Sequence, residues 1–417
     1  MEGQSIVRVL RGKKILLGVT GGIAAYKAAT VASRLTQAGA VVDVMMTRAS
    51  QNFINPLTFS ALTGRPVTTD MWSSGTGQIL HVTMGREADL FIVAPATAHT
   101  IARLALGLAD DALTSTALAS RAPLLLAPAM ETGMWEHPAT QEHVRILLER
   151  GAFVVGPMAG RLASGAVGIG RMAEPPQIID MARKVLGRTG PLAGVHVVLT
   201  AGGTQEALDP VRFLTNRSSG KMGMALAVSA RDFGATVTVI HSPLQVPVPF
   251  GVTSVLVSTA IEMRDATFDI LPRTDVLIGA AAVADYRPAT VADQKIKKKD
   301  GSLPVELVRN PDILGEIGQQ RSRTGRPKVA VGFAAETEDL LANAKAKLES
   351  KKLDLILVND VSAPHSGFGV DTNQVTLLDR WGDVLPWPLL TKQEVADRLM
   401  VWVSRQVHGK GLGDLGD

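Results

Sequence analysis

Short apolar runs alternate with longer helix-like stretches along the whole chain. The first half contains KILLGV, VVDVMM, DLFIVAP, PLLLAP and AFVVGP, and the second half contains VHVVLTAG, TVTVIHS, VTSVLV, DVLIGAAAV, KVAVGFAAET and LDLILVND. These runs are continuously apolar, which is typical of strands that are buried on both faces of a parallel sheet. Alanine-rich helical stretches such as AAYKAATVASRLTQAG lie between them. The pattern therefore predicts an α/β protein.

A basic segment with glycine and proline, RKVLGRTGPLAG at residues 183–194, separates the two series of strands. This composition is typical of a linker, and 417 residues are enough for two domains. We therefore expect two Rossmann-like domains, residues 1–190 and residues 191–417, each of which binds ligands at the carboxyl ends of its strands. Near the end of the chain, VTLLDRWGDVLPWPL predicts a β-hairpin that turns at Trp381, Gly382 and Asp383.

Composition narrows the classes of function. The 43 basic residues barely exceed the 39 acidic ones, and aromatic residues make up only 4% of the chain, so we expect no nucleic-acid partner. No cysteine is present, which excludes disulfides, cysteine-ligated metals and thiol nucleophiles. The sequence shows neither a signal peptide nor an apolar run of about 20 residues, so we expect a cytoplasmic protein with no membrane partner.

The most informative segment is TAGGTQEALDPVRFLTNRSSGKMG at residues 200–223. It joins a predicted strand to a predicted helix through glycine-rich turns, an arrangement that aims backbone N–H groups at phosphates. Asn216, Ser218, Ser219 and Lys221 add an amide, two hydroxyls and a cation. The GxxxxGK[ST] pattern is absent, so the segment predicts a phosphate-binding loop that is not a Walker A loop.

Four further clusters follow this loop: GAAAVADYRP (residues 279–288), KIKKK (295–299), RNPDIL (309–314) and VGFAAET (331–337). Each alone is typical of an ordinary buried strand, a solvated surface or a turn before a helix. In this order, the loop and the clusters resemble phosphopantothenate–cysteine ligase, the second half of a bifunctional enzyme family of coenzyme A biosynthesis. The resemblance covers most of residues 191–400.

The resemblance implies a ligation in two steps. The carboxylate of 4′-phosphopantothenate attacks the α-phosphate of CTP and releases pyrophosphate, and the amine of cysteine then attacks the acyl-cytidylate and releases CMP. Because the first step brings anions together, lysines and Mg²⁺ are expected to carry much of the catalysis. The implied roles are Asn216 on the acyl carbonyl or phosphopantothenate, Lys295 on the triphosphate and the acyl-cytidylate, and Asp285 on Mg²⁺ or the ribose. The other residues that the resemblance assigns to CTP are Gly279, Ala280 and Ala281 against the cytosine, together with Asn310, Pro311, Asp312, Ile313, Phe333, Lys347 and Lys351.

In the first half, GVTGGIAAYKA at residues 18–28 joins a strand to a helix but lacks GxGxxG. Together with MMTRAS and with APATAHTIARLALGLADD at residues 94–111, it resembles the flavodoxin-like flavoprotein family that decarboxylates cysteine carboxyl ends. Phosphopantothenoylcysteine decarboxylase, the other half of the bifunctional enzyme, belongs to that family. The resemblance implies a bound FMN that is held by Gly21, Gly22, Ile23, Thr47, Ala96 and Thr97.

The same resemblance implies decarboxylation of phosphopantothenoylcysteine to 4′-phosphopantetheine. In the family, FMN oxidises the substrate thiol to a thioaldehyde, carbon dioxide leaves, and the resulting enethiol is reduced and protonated. His81 stands at the position of the histidine that is needed near the thiol. Substrate-binding positions of the family motifs correspond to Met130, Arg171 and Met172.

Two candidate catalytic residues depart from the family's pattern. In PAMETGMW, Glu131 replaces an asparagine that orients the substrate carboxylate, and in the flap LASGAVGIGRM, Ser164 replaces a cysteine. A negative Glu131 would repel the carboxylate unless it is protonated or paired, and a hydroxyl is a poorer acid than a thiol. Either this half decarboxylates with a rearranged acid and carboxylate clamp, or it has lost activity and is structural. We favour the first, because the other motifs persist.

Two other classes stay open at this point, a regulatory flavoprotein without catalytic activity and an NAD(P)-dependent oxidoreductase. The ligase clusters argue against the first for the whole chain, and the missing GxGxxG argues against the second. In the families that the chain resembles, decarboxylase halves form trimers and ligase halves form dimers. We therefore expect a homo-oligomer such as a dodecamer.

Overall fold

The computed structural model describes residues 8–71, 80–298, 302–336, 339–360 and 369–409. The chain folds into two compact units, Met1–Gly187 and Arg188–Asp417. Lys299 and Thr337, which end two of the predicted ligase clusters, lie outside the described residues.

The strands of the first unit are β1 (Lys14–Val19), β2 (Val41–Met46), β3 (Val67–Thr68), β4 (Leu90–Ala96), β5 (Leu124–Pro128), β6 (Phe153–Val154), β7 (Met158–Arg161) and β8 (Val167–Arg171). Its α-helices are α1 (Ala25–Gln37), α2 (Pro56–Thr63), α3 (Leu80–Glu87), α4 (Ala98–Leu106), α5 (Ala112–Ala119), α6 (Thr132–Trp135), α7 (Pro138–Glu149) and α8 (Pro175–Gly187). A 3-10 helix spans Arg48–Asn52.

Six strands of the first unit form one parallel sheet in the order β3-β2-β1-β4-β5-β6. The five runs predicted from the first half are β1, β2, β4, β5 and β6, which confirms that prediction. Every residue of β4 is buried, as expected for a central strand that is covered on both faces. β7 and β8 form a separate antiparallel hairpin, the flap.

The strands of the second unit are β9 (His196–Ala201), β10 (Gln205–Ala207), β11 (Phe213–Thr215), β12 (Thr236–His241), β13 (Thr253–Leu256), β14 (Val276–Gly279), β15 (Tyr286–Pro288), β16 (Leu307–Arg309), β17 (Val329–Glu336), β18 (Leu355–Asp360), β19 (Thr372–Asn373), β20 (Val375–Asp379), β21 (Val384–Pro386) and β22 (Leu390–Thr391). Its α-helices are α9 (Lys221–Asp232), α10 (Ala260–Ile270), α11 (Ile313–Thr324), α12 (Leu340–Ser350) and α13 (Lys392–Val407). A 3-10 helix spans Leu271–Arg273.

The main sheet of the second unit has the order β13-β12-β9-β14-β17-β18-β20-β21. The strands from β13 to β18 are parallel, and they confirm the six predicted runs. β20 pairs antiparallel with both β18 and β21, which confirms the predicted hairpin. On one face of the sheet, α9 packs against α13, and Trp402 of α13 is fully buried in the core.

The order of the strands reverses at the centre of each sheet. The first sheet reverses between β1 and β4, and the second reverses between β9 and β14. Connections on either side of such a point leave toward opposite faces, so a crevice opens at the carboxyl ends of the two central strands. In this chain, the glycine-rich segments predicted to bind ligands follow β1 and β9.

Candidate functional site

Hydrogen bonds fasten the loops after β1 and β4 to each other in the first unit. The hydroxyl of Thr20 donates to the carbonyl of Pro95 at 2.7 Å and accepts from the N–H of Thr97 at 3.2 Å. Thr97 also caps α4, because its hydroxyl accepts from the N–H of Thr100 at 3.4 Å. Ala96 is fully buried at the end of β4. These bonds fix the point at which α4 begins beside the β1 loop.

The turn after β1 packs very closely against the turn after β2. An ideal Cβ on Gly21 would lie 2.5 Å from the Cβ of Ala49, so only glycine allows this contact. Thr47 caps the 3-10 helix that contains Ala49, since its hydroxyl accepts from the N–H of Ser50 at 3.3 Å. The structure thereby brings together Gly21 and Thr47, two of the predicted flavin-binding residues.

The N-terminus of α1 has the features of a phosphate site. The helix begins after Ala24, which provides no side-chain cap. The N–H groups of Ala25 and Lys27 donate to the carbonyls of Gly22 and Ala24, and the partial positive charge of a helix N-terminus favours an anion there. A Cβ on Gly22 would meet only Thr97 Cγ2, at 3.7 Å, so the turn leaves room for a ligand. Ile23, in the same turn, is 62% exposed. These residues fit the phosphate end of FMN.

His81 lies in the first turn of α3 and is half-buried. Its helix packs against α5, and an ideal Cβ on Gly85 would lie 3.0 Å from the carbonyl oxygen of Thr116. This close approach fixes the helix that carries His81. Residues 72–79, which precede the helix, lie outside the described residues.

The flap is packed tightly against the segment after β5. The N–H of Met130 donates to the carbonyl of Gly170 at 3.0 Å. An ideal Cβ on Gly170 would lie 2.1 Å from the carbonyl oxygen of Met130, and one on Gly168 would lie 2.2 Å from Thr132 Oγ1. The glycines of the predicted flap motif therefore allow the flap to lie directly on the predicted substrate-binding segment.

The two residues that depart from the family's pattern contact each other. The hydroxyl of Ser164, at the tip of the flap, donates to Glu131 Oε1 at 3.0 Å. Glu131 immediately precedes α6 and does not cap it with its side chain. The two departures lie 33 positions apart in the sequence, and the structure places them in one hydrogen-bonded pair.

Glu174 links the base of the flap to α1. Its Oε1 accepts from Lys27 Nζ at 2.7 Å and from Arg171 Nη2 at 2.9 Å. The hydrogen bond from Lys27 is the main cause that holds the pKa of the Glu174 carboxyl below its usual value. Met172 is only 2% exposed, so its side chain lies in the core of the unit. The substrate-binding roles of Arg171 and Met172 stay predictions.

A cavity of about 940 Å³ opens at the carboxyl ends of β9, β14 and β17 in the second unit. It brings together nearly all the residues that the resemblance assigned to the ligase. Those that line it are Asn216, Gly279, Ala280, Ala281, Asp285, Asn310, Pro311, Asp312, Ile313, Phe333, Lys347 and Lys351. Lys295 is the predicted ligase residue that is missing from the lining.

One wall of the cavity is the segment after β14, and hydrogen bonds hold it in place. The N–H groups of Ala280 and Ala281 donate to the carbonyl and the hydroxyl of Thr200, at 3.1 and 3.4 Å. Asn216 Nδ2 donates to the carbonyl of Val283 at 3.0 Å. These N–H groups are therefore already used in the fold, and a base against this wall must be recognised through other groups.

Two more predicted residues that line the cavity are also held by hydrogen bonds. Asn310 Nδ2 donates to the carbonyl of Ala284 at 2.8 Å. Asp312 caps α11, and its Oδ1 also accepts from Lys351 Nζ at 2.8 Å. Asp285, next to Ala284, is exposed and supplies a carboxylate at the cavity, which is the type of ligand that Mg²⁺ prefers.

The start of α9 provides a positive end to the cavity. Gly220 precedes the helix and has no side chain to cap it. Lys221 Nζ donates to Asp371 Oδ1 at 2.7 Å and to the carbonyl of Gly369 at 2.9 Å. This bond from Lys221 is the main reason that the pKa of the Asp371 carboxyl lies below its usual value.

Sequence analysis missed Lys392, which lines the same cavity. It is only 7% exposed, and its Nζ donates to the carbonyl of Val370. Burial lowers its pKa, and the nearby charge of Lys221 adds to this effect, which Asp371 opposes. Asn359 and Asn373, which contact each other at 3.5 Å, were also missed. No glycine-rich motif or charge run marks these three positions.

Among the described residues, no group of three or more histidine, aspartate or glutamate side chains is placed to bind a metal ion. In the same part of the chain, no helix is both long enough and apolar enough to span a membrane.

Two family models match the chain and define a class of protein, a two-unit flavoprotein of pantothenate metabolism. Residues 5–187 match the family described as "Flavoprotein". Residues 192–407 match the family described as "DNA/pantothenate metabolism flavoprotein C-terminal domain".

Comparison with individual known proteins identifies the family of the whole chain. It is 44% identical over 396 residues to the coenzyme A biosynthesis bifunctional protein CoaBC of Bacillus subtilis, covering 94% of this chain and 97% of the relative. It is 47% identical over 379 residues to CoaBC of Mycobacterium bovis, covering 88% of this chain and 90% of that relative. A crystal structure of the C-terminal domain of a CoaBC protein matches with 36% identity and a TM-score of 0.46, over 53% of this chain and 100% of that one. The chain belongs to the CoaBC family of bifunctional coenzyme A biosynthesis proteins.

Proposed function

We propose that the protein catalyses two consecutive steps of coenzyme A biosynthesis. The second unit, with CTP, joins cysteine to 4′-phosphopantothenate, and the first unit decarboxylates the product to 4′-phosphopantetheine. The observation that carries the proposal is that one cavity is lined by all but one of the predicted ligase residues. The matches of the two family models, at residues 5–187 and 192–407, support one activity in each unit.

In the ligase unit, cytosine lies against the segment after β14 and the triphosphate points to the start of α9. The uncapped helix and the cations of Lys221 and Lys392 favour anions at that end of the cavity. Asp285 would hold Mg²⁺, which binds proteins through one or two carboxylates together with substrate phosphates. The ion would neutralise charge as the carboxylate of phosphopantothenate approaches the α-phosphate. Asn216, whose amide already bridges to Val283, would position the acyl group.

Lys295 adds a cation from outside the cavity lining. It is exposed, and the proposal requires its ammonium to reach the triphosphate and the acyl-cytidylate. Lys295→Gln removes this charge and keeps a side chain of similar length. We expect it to slow formation of the acyl-cytidylate by about 100-fold or more, as is usual when a donor to a developing anion is lost.

In the decarboxylase unit, the turn after β1 and the N-terminus of α1 would hold the phosphate of FMN. When bound, FMN supplies the two-electron oxidation of the substrate thiol and returns the electrons after carbon dioxide has left. His81 would accept the thiol proton, which is a common role of histidine near neutral pH. Ser164 and Glu131 lie on the flap and on the segment beneath it, where the family's proton donor and carboxylate clamp are found.

The pairing of Ser164 with Glu131 favours an active decarboxylase over a structural unit. Ser164 donates to the carboxylate, so the negative charge of Glu131 is partly satisfied by a hydrogen bond rather than directed without a partner at the substrate. We therefore do not favour a purely regulatory flavoprotein. An NAD(P)-dependent oxidoreductase is not favoured either, because the first unit matches a flavoprotein family and the second matches a domain of pantothenate metabolism.

The test is to incubate the purified protein with 4′-phosphopantothenate, cysteine, CTP and Mg²⁺ and to follow products by mass spectrometry. Both activities together give 4′-phosphopantetheine, carbon dioxide and CMP. Accumulation of phosphopantothenoylcysteine in protein that retains yellow FMN would refute the decarboxylase half alone. Absence of CMP would refute the ligase half.

We also propose a cytoplasmic homo-oligomer, with a dodecamer as the specific expectation. Exposed apolar side chains near the flavin-binding turn, including Ile23 and Tyr26 at 62% and 61% exposure, are of the kind that subunit contacts cover. Light scattering coupled to size-exclusion chromatography measures the mass directly. A monomer at micromolar concentration would contradict this part of the proposal.

A further inference from the structure

The ALDPVR part of the glycine-rich loop has no role in the chemistry proposed above. Asp209, at its centre, has a side chain that is 0% exposed. Its Oδ1 accepts from the N–H groups of Val211 and Arg212, each at 2.8 Å. Its Oδ2 accepts from the guanidinium of Arg212 at 2.6 and 3.0 Å. A carboxylate that accepts so many hydrogen bonds is a rigid point in the loop.

The same two side chains bind the backbone of Ile296, which is far away in the sequence, and we call this pair of hydrogen bonds the grip. Asp209 Oδ2 accepts from the N–H of Ile296 at 3.1 Å, and Arg212 Nη2 donates to the carbonyl of Ile296 at 2.8 Å. Both backbone groups of Ile296 are thus held by one ion pair. A second tie lies four residues earlier, where the N–H of Ala292 donates to the carbonyl of Leu208 at 3.0 Å.

Residues 292–296, which we call the lysine arm, are therefore fastened to the loop at both ends. Lys295 precedes the gripped residue and is exposed, so its backbone is fixed while its side chain extends into solvent. The tie at Ile296 is charged, because its N–H donates to the Asp209 carboxylate, and the side-chain hydrogen bonds from Arg212 hold the pKa of that carboxyl far below its usual range. The carboxylate stays ionised at any pH at which the enzyme would work.

A cation assists a transition state best when its position is set before the reaction. Lys295 does not line the cavity, so its ammonium must come to the ligand from the arm. A change in the path of the arm therefore moves the cation relative to the triphosphate. The hydrogen bonds to the backbone of Ile296 therefore fix the residue that directly follows Lys295.

We propose that Asp209, together with Arg212, is a positioning residue for Lys295, and that it acts by holding the backbone of the lysine arm at Ile296. This inference rests on the role of Lys295 in the proposed ligase reaction. Asp209 itself touches no reacting atom. Its effect on the reaction must therefore disappear when the Lys295 cation is absent.

The test is a double-mutant cycle on single-turnover formation of acyl-cytidylate by the full-length protein. We expect Asp209→Asn to slow this step about tenfold when Lys295 is present, which is within the usual range for coupled residues. In the Lys295→Gln background, it should change the rate by less than about twofold. In the Lys295→Gln background, Asp209→Asn should also leave the affinity for CTP unchanged, because the walls of the cavity are untouched. Asp293→Asn, which removes an exposed charge from the arm itself, is the matched control and should leave the rate unchanged.

Equal slowing by Asp209→Asn in both backgrounds would overturn the inference, since it would show a general structural role. No slowing with Lys295 present would also overturn it. If Asp209→Asn fails to fold, Ile296→Pro replaces it in the cycle, because proline removes the gripped N–H and leaves Asp209 and its turn intact.

Hydrogen exchange of the peptide that contains residues 292–298 gives a readout that does not depend on ligation. We expect faster exchange there in Asp209→Asn than in Asp293→Asn, with no change over α9 and α13. Unchanged exchange would refute the grip itself. If wild-type protein makes no acyl-cytidylate while exchange changes as expected, the proposed ligase function fails and Asp209 is left as a purely structural clamp.

Discussion

Replacing Gly170 by alanine should separate the flap from the segment that it covers. The new Cβ would lie 2.1 Å from the carbonyl oxygen of Met130, whereas ordinary van der Waals contact begins near 3.4 Å. One of the two backbones must therefore move by more than 1 Å, because neither atom belongs to a flexible side chain. The movement also breaks the hydrogen bond from the N–H of Met130 to the carbonyl of Gly170, which is 3.0 Å long.

Two terms set the size of the effect on stability. Overpacking of this kind costs about 1–3 kcal/mol, and the lost hydrogen bond adds about 1 kcal/mol. The total of about 2–4 kcal/mol corresponds to a melting temperature that is lower by roughly 4–16 °C for a unit of this size. Decarboxylation should fall at the same time, because Glu131 and Ser164 lie on the two surfaces that separate.

The assay is thermal unfolding followed by the fluorescence of released FMN, which reports on the first unit. Gly133→Ala is the matched control, because a Cβ there meets nothing within 4 Å and alanine favours the helix by about 1 kcal/mol. Ligation by the second unit serves as an internal control and should be unchanged. If Gly170→Ala and Gly133→Ala release FMN at the same temperature, the steric reasoning is wrong.

Three further predictions concern charged and polar side chains. For Asp111, burial raises the pKa, but hydrogen bonds from Thr114 and Arg103 outweigh it and leave the pKa below its usual value. Its stabilisation should therefore be fully present above the unfolded pKa near 3.9 and disappear as the pH falls through the lower folded value. Chemical denaturation should show Asp111→Asn less stable by about 1–2 kcal/mol at pH 7, with a difference that shrinks as the pH falls below the unfolded pKa; a constant difference would contradict this reasoning. Lys392→Met should fold at least as stably, because burying a cation is unfavourable, yet bind CTP about tenfold more weakly by calorimetry; unchanged affinity would place the triphosphate elsewhere. Ser164→Ala should lower the turnover of decarboxylation about tenfold or more, and the double replacement Glu131→Asn with Ser164→Cys should restore it; equal loss in both variants would show that the two residues do not replace the family's pair.

The strands and most of the ligase cavity could be predicted because their signals are local. Continuous apolar runs indicated the positions of the parallel strands. In clusters such as RNPDIL, the residues that line the cavity are consecutive in the sequence. The carboxyl ends of parallel strands share one edge of a sheet. Residues near the carboxyl ends of β9, β14 and β17 therefore had to meet, and Thr200, Gly279 and Phe333 do line one cavity.

Contacts between distant segments could not be predicted in the same way. The bond between Ser164 and Glu131 joins residues that are 33 positions apart, and the grip of Asp209 on Ile296 spans 87 positions. Neither contact leaves a periodic pattern, because each depends on where a loop lies after the sheet has formed. Lys392 was missed for a related reason, since a lysine at the start of a helix is usually a solvated residue.

The direction of β20 determines how amino-acid substitutions can alter one side of the ligase cavity during evolution. In a purely parallel sheet, each strand reaches the ligand edge only at its carboxyl end, and a crossover must then carry the chain back to the other edge. β20 runs the opposite way beside β18 and starts at the ligand edge, with Asn359 paired to Val375. Gly369 and Asn373, in the segment just before it, therefore line the cavity. Substitutions in this short segment can retune the charge around the nucleotide while the strands that carry the other walls keep their sequence.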